Sequence, residues 1–236
     1  MNKKKYKMLL VILLAIVVIN SGYIYNSIVH HDEQNGYNTT AIASNENGTV
    51  YKIVAGNMKS NETVGIILGV HPREHEIHEA INETLYNITS ENGTNNLTKK
   101  YVVYYIKISE NITSRDDTRN IGESLASENV VPNIKADDPF VVIDIHEIDS
   151  DYEYSNFIYK ISNNSAKTNI YANEIADKLN ITNYNFTEGT SPQKVTRPIA
   201  QQGINTLLFE TKETNNYKVK ENISNTLIYC LDNLKP

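Results

Sequence analysis

From residue 63 onward, unbroken apolar runs of strand length alternate with stretches whose apolar residues recur every three or four positions. TVGIILGV (63–70) is the first such run, and EHEIHEAINETLYNI places Ile77, Ala80, Ile81, Leu85 and Ile88 on one face of a helix. YVVYYIKI (101–108), PFVVIDIHEI from Pro139, NFIYKIS from Asn156 and INTLLFET (204–211) are rich in β-branched and aromatic residues and predict strands. SAKTNIYANEIADKLN predicts a helix with Ile170, Ile175, Ala176 and Leu179 inward, and KVKENISNTLIYCLDNL predicts a closing helix. Strands that alternate with helices, and runs without polar interruption, indicate an α/β domain with a largely buried sheet. No internal repeat is visible.

The chain before residue 49 breaks this rhythm. MNKKKYK gathers positive charge, and the run at 8–19 has none. Extended to Tyr6 and Tyr25, it reaches the roughly twenty residues that span a bilayer, so it predicts a signal peptide or an anchor. No A-x-A site follows, which favours the uncleaved anchor. Lys3, Lys4, Lys5 and Lys7 should then stay cytoplasmic, placing a single-pass protein in the cell membrane with its domain outside; secretion after cleavage is the alternative. HHDEQNGYNTTAIASNENG shows no hydrophobic period and reads as a polar stalk. The expected organisation is an anchor over 1–27, a stalk over 28–48 and one domain over 49–236. N-x-[ST] triplets are dense from Asn38 to Asn222, which suits a glycosylated, exported surface, although an Asn-rich composition also produces them by chance.

A chain of 236 residues gives that single domain a core of ordinary size. Net charge is -6 and no basic stripe lies beyond the N-terminus, which argues against a nucleic-acid surface. Cys230 is the one cysteine and sits in the closing helix, so it reads as a buried thiol, with neither a disulfide nor a Cys-rich metal site available.

Chemistry gathers where strands end. The runs reaching Val70, Ile145 and Phe209 are followed by His71, His146 and Glu210. In open α/β sheets, sites form beyond the carboxyl ends of parallel strands, so three strands could deliver two imidazoles and a carboxylate to one crevice. Within GVHPREHEIHEA, two metal readings stand beside a metal-free one. As H-x-x-E, His71 and Glu74 bind from the turn after a strand, and a distant His146 completes a site with one open position. As H-x-x-E-H, His71 and His75 bind from one helix face with Glu74 as base. Pro72 disfavours helical dihedrals at His71 and suits the first position of a helix, which favours the first reading and leaves His75 and His78 on the helix beyond.

GVHPRE, VIDIHE and TLLFETKE, in this order and each at a strand end, resemble the zinc carboxypeptidase superfamily, including its succinylglutamate desuccinylase and aspartoacylase branch. The resemblance spans roughly 64–214. It implies a three-layer α/β/α sandwich around a mixed, largely parallel sheet. It further implies one Zn2+ held by His71, Glu74 and His146, and Glu210 as general base toward the attacking water. The implied substrate is a peptide or small acylamino acid with a free carboxylate, which arginines between the two histidines bind; Arg115 and Arg119 lie in that interval. Surface pairing with Asp116 and Asp117 is the alternative for these arginines, and Arg73 or Arg197 could serve as anchors instead. Two positions depart from the family pattern: Thr118 stands where an asparagine precedes the arginine, and Glu147 follows His146 where relatives carry a small or hydroxyl residue.

Overall fold

The computed structural model describes residues 35–90, 97–152, 154, 156–161, 165–184 and 191–236. Its strands are β1 (Asn35–Asn45), β2 (Gly48–Asn57), β3 (Thr63–Leu68), β4 (Lys100–Ile108), β5 (Pro139–Ile148), β6 (Phe157–Ile161), β7 (Thr182–Asn183) and β8 (Thr206–Lys212). The helices are α1 (His75–Thr89), α2 (Arg115–Asn129), α3 (Ala166–Leu179), α4 (Arg197–Gln201) and α5 (Tyr217–Asn233), with a short 3-10 turn at Ile134–Asp137 and a π turn at Pro192–Thr196.

All eight strands form one sheet in the order β1-β2-β4-β3-β5-β8-β6-β7. The four central strands β4, β3, β5 and β8 run parallel, whereas β2 and β6 flank them antiparallel. Every residue of β3 is buried, as an unbroken apolar run in a sheet covered on both faces must be. On one face Ile77, Ile81 and Leu85 of α1 share a core cluster with Tyr171 of α3 and Leu227 and Leu231 of α5. Across the sheet, Leu125 and Ala126 of α2 pack with Val195, Ile199 of α4 and the other face of the central strands. The result is the expected α/β/α layering with a mixed sheet. The strands ending in the candidate residues, β3, β5 and β8, are immediate neighbours although far apart in sequence.

Several boundaries differ from the sequence reading. The segment read as stalk, 28–48, contains β1, which pairs antiparallel with β2 over most of its length. It lacks a hydrophobic period because this edge strand buries neither face. Among the described residues no helix is long and apolar enough to cross a membrane, so the placement as a single-pass membrane protein with an outward-facing domain does not stand. The apolar run at 8–19 from which it came lies outside the described residues. Helix α1 begins at His75 and not at Pro72, because residues 71–74 form a turn closed by the Glu74 amide donating to the His71 carbonyl at 3.1 Å. Ile170, expected inward, is exposed on α3.

Candidate metal centre

The approach to the site depends on Gly69. Its φ is +81°, and a Cβ there would lie 2.0 Å from the Ile106 carbonyl oxygen, so only glycine lets the chain leave β3 beside β4 in this way. The turn that follows puts Pro72 at its second position, where a fixed φ is an advantage, and folds Glu74 back over His71. His71 Nδ1 lies 2.8 Å from Glu74 Oε1, and His146 Nδ1 lies 2.8 Å from Glu74 Oε2 and 3.1 Å from His71 Nδ1. One ligand atom from each residue falls within 4.8 Å of the others. Donors around a four-coordinate ion with bonds near 2.05 Å stand roughly 3.3 Å apart, so two imidazole nitrogens and a carboxylate at these separations fit a metal ion with a small outward adjustment.

The far side of each imidazole meets a carboxylate. His71 Nε2 is 3.2 Å from Oε1 of Glu123, a wholly buried residue of α2 whose other oxygen accepts from Lys194 Nζ at 2.7 Å. Gly122 makes this possible: a Cβ there would sit 2.2 Å from the Val70 carbonyl, so α2 can press against the end of β3 only with glycine at that position. His146 Nε2 lies 3.0 Å from Asp144 Oδ1, at an angle short of a hydrogen bond, and 3.2 Å from Ser191 Oγ. Asp144 Oδ2 accepts from Ser191 and Thr196 hydroxyls, both at 3.2 Å. Two residues apart on β5, Asp144 and His146 share a face. With Nε2 of both rings turned toward carboxylates, both Nδ1 atoms are left for the centre, and the ring orientations are fixed from behind. The Glu147 amide donates to Glu74 Oε2 at 3.1 Å and steadies the third group.

Charge states follow from this packing. Burial opposes ionisation of Glu74, yet His146 and His71 beside it hold its carboxyl well below the usual range. Burial works against a cationic His146, but Asp144 and Glu74 push its proton affinity well above that of a free imidazole. Glu210 on β8 sits in register with His146 on β5 and points to the same face. Its Oε2 is buried without a hydrogen-bond partner. Burial raises its carboxyl far above the ordinary value; His146 opposes this, while Glu74 and Asp144 add to it.

These groups line a cleft of about 360 Å³ that Arg115 and Arg119 also reach from successive turns of α2. Arg119 pairs with Glu123, its Nε 3.6 Å from Oε1, and not with Asp116 or Asp117. Thr118 lines the same wall, with its hydroxyl donating to the Arg115 carbonyl at 2.9 Å. Arg73 lies at the rim and donates to the Thr113 carbonyl at 2.9 Å, whereas Arg197 is exposed on α4 and is not among the lining residues. The two remaining histidines of GVHPREHEIHEA stay out of the cluster. His75 is exposed, and His78 is buried on the opposite face, where its Nε2–H donates to the Ile145 carbonyl at 2.9 Å and burial lowers its pKa to about 4.

Sequence reasoning missed Glu123, Lys194, Ser191 and Thr196. The one signal available was SRDD at 114–117, a capping serine followed by acids in a first helical turn; Ser114 does accept from the Asp117 amide.

No protein-family model matches the chain, and no curated protein matches it. Solved structures do. A metallo-carboxypeptidase from Burkholderia cenocepacia superposes with a TM-score of 0.59 at 12% identity, covering 88% of this chain and 67% of that one. A succinylglutamate desuccinylase from Vibrio parahaemolyticus gives 0.56 at 10% identity, covering 86% of this chain and 79% of its own. An aspartoacylase family protein from Mesorhizobium loti gives 0.51 at 11% identity, with 85% and 68% covered. The chain thus spans about two thirds of the length of the carboxypeptidase it matches. Its fold is the one these metallo-carboxypeptidase, desuccinylase and aspartoacylase family structures share.

Proposed function

We propose that this chain is a zinc-dependent, carboxypeptidase-like hydrolase that cleaves an amide bond beside a free carboxylate. The observation that carries the reading is the convergence of His71, Glu74 and His146 on one point, beside an unpartnered buried Glu210 and in a cleft reached by two guanidinium groups. His71 Nδ1, His146 Nδ1 and the Glu74 carboxylate would hold the ion. Zinc, when bound, polarises a carbonyl and makes water acidic enough to attack near neutral pH. Arg115 and Arg119 orient the substrate through its carboxylate, for which a planar guanidinium is suited. Glu210 takes the proton from the attacking water on its free oxygen and gives it to the leaving amine; a carboxyl with raised proton affinity suits both transfers.

A second reading, an N-acyl amino acid deacylase, draws on the similarity to a desuccinylase and an aspartoacylase family protein. Hydrolysis of a panel pairing peptides with free C-termini and small N-acyl amino acids separates the two. In the same assay Glu210→Gln should keep stoichiometric zinc by metal analysis and lose about 10²- to 10⁴-fold in rate. His146→Ala should lose the metal itself. Wild-type hydrolysis by Glu210→Gln would sink the mechanism, and zinc retained by His146→Ala would sink the site.

A further inference from the structure

Glu147 differs from the family pattern, and its side chain leads to the other face of β5. Strand alternation sends His146 into the cleft and Glu147 beneath α1 and α5. There Glu147 Oε1 accepts from the Ile77 amide at 2.9 Å, placing a carboxylate at the N-terminal end of α1. The same oxygen lies 2.7 Å from Nζ of Lys220 on α5. Lys220 is 1% exposed, and its ammonium also donates to Glu76 Oε2 at 2.7 Å and to the Glu213 carbonyl at 3.0 Å.

An ammonium costs several kcal/mol to bury and persists only where its charge and its protons are matched. Lys220 gains nothing from its own helix, since a cation near a helix N-terminus opposes the macrodipole. What it does is join three segments. Glu76 stands two residues beyond Glu74, Glu147 one beyond His146, and Glu213 three beyond Glu210. The Glu147 amide in turn holds Glu74.

We propose that Lys220 is a positioning residue for the metal centre, a buried strut that fixes the ends of β5 and β8 and the start of α1 so that Glu74, His146 and Glu210 meet at one point. This rests on the metal reading above but not on hydrolysis. Its test is metal affinity. Lys220→Met in the full chain should weaken zinc about 10- to 100-fold, as loss of outer supporting contacts does, measured by chelator competition. The d–d absorption of its Co2+-loaded form should also shift from that of the wild type. Leu227→Ala, a cavity in the same helix away from the site, serves as the stability control. It should lower Tm while preserving both the zinc Kd and the Co2+ spectrum. Lys220→Met with a zinc Kd within twofold of wild type and an unaltered Co2+ spectrum overturns the proposal. Should Lys220→Met fail to fold, Glu147→Gln decides. It keeps an oxygen for the Ile77 amide and loses the charge, so its zinc affinity should fall severalfold, and an unchanged Kd and spectrum again overturns the strut. A wild-type protein that takes up no stoichiometric zinc removes the metal reading and this inference together, whereas a wild-type zinc Kd and Co2+ spectrum in both variants removes the inference alone.

Discussion

Helices α1 and α2 are both fifteen residues long and both begin within three residues of a cleft residue, yet they contribute different things. Helix α1 buries Ile77, Ala80, Ile81, Leu85 and Ile88, an apolar stripe that any periodicity search finds. Helix α2 buries Thr118, Gly122, Glu123, Leu125 and Ala126, a face in which Leu125 is the one large apolar side chain among small and polar ones. The first holds the sheet; the second carries two arginines and the carboxylate behind His71. An element that builds a core advertises itself through hydrophobic spacing, and one that builds a polar site hides, because its buried face is polar for the sake of the site.

Substitutions can break this division of labour. The largest effect belongs to α1: Ile81→Ala empties a fully buried position and should cost about 2–5 kcal/mol in denaturant unfolding, with zinc affinity preserved. Zinc binding that falls in parallel would show that α1 also tunes the site. His78 is a titratable group buried in α1, and its effect is read through pH. The folded chain binds its proton near pH 4 and the unfolded chain near 6.5, so the unfolded state holds more protons between those values. Stability should therefore be fully present above about pH 6.5 and decline as pH falls toward 4, by on the order of 3 kcal/mol at about 1.4 kcal/mol per unit. His78→Gln, which still offers a donor to the Ile145 carbonyl, should flatten that part of the profile; an identical profile in the variant would assign the acid loss elsewhere. The smallest change in stability belongs to α2. Glu123→Gln should shift Tm by no more than a few degrees and weaken zinc about 10- to 100-fold, because the far side of His71 loses its carboxylate. Unaltered zinc affinity would reduce Glu123 to a partner of Lys194 and Arg119.

The same contrast explains what could be read from the chain. His71, His146 and Glu210 were visible because each follows an apolar run, Glu74 because of its spacing from His71, and the sheet order makes those runs neighbours. Pro72 correctly excluded His71 from a helix, but the turn it starts delays α1 to His75. Ser191 and Thr196 could not be read, because they act from a π turn, an irregular element with no periodic signature. Glu147 looked like an anomaly beside His146 for lack of Lys220, its partner 73 residues further on and legible only in three dimensions.

The edge strand β1 has a consequence for the life of the protein in a crowded solution. It buries neither face fully, is interrupted by a bulge between Ala41 and Ala43, and covers the outer hydrogen-bonding groups of β2. Without it, β2 would present its unpaired backbone with Val50, Ile53 and Ala55 behind it, a template on which another chain could add a strand. The stretch that carries the least hydrophobic information is therefore what keeps this sheet from growing beyond its own molecule.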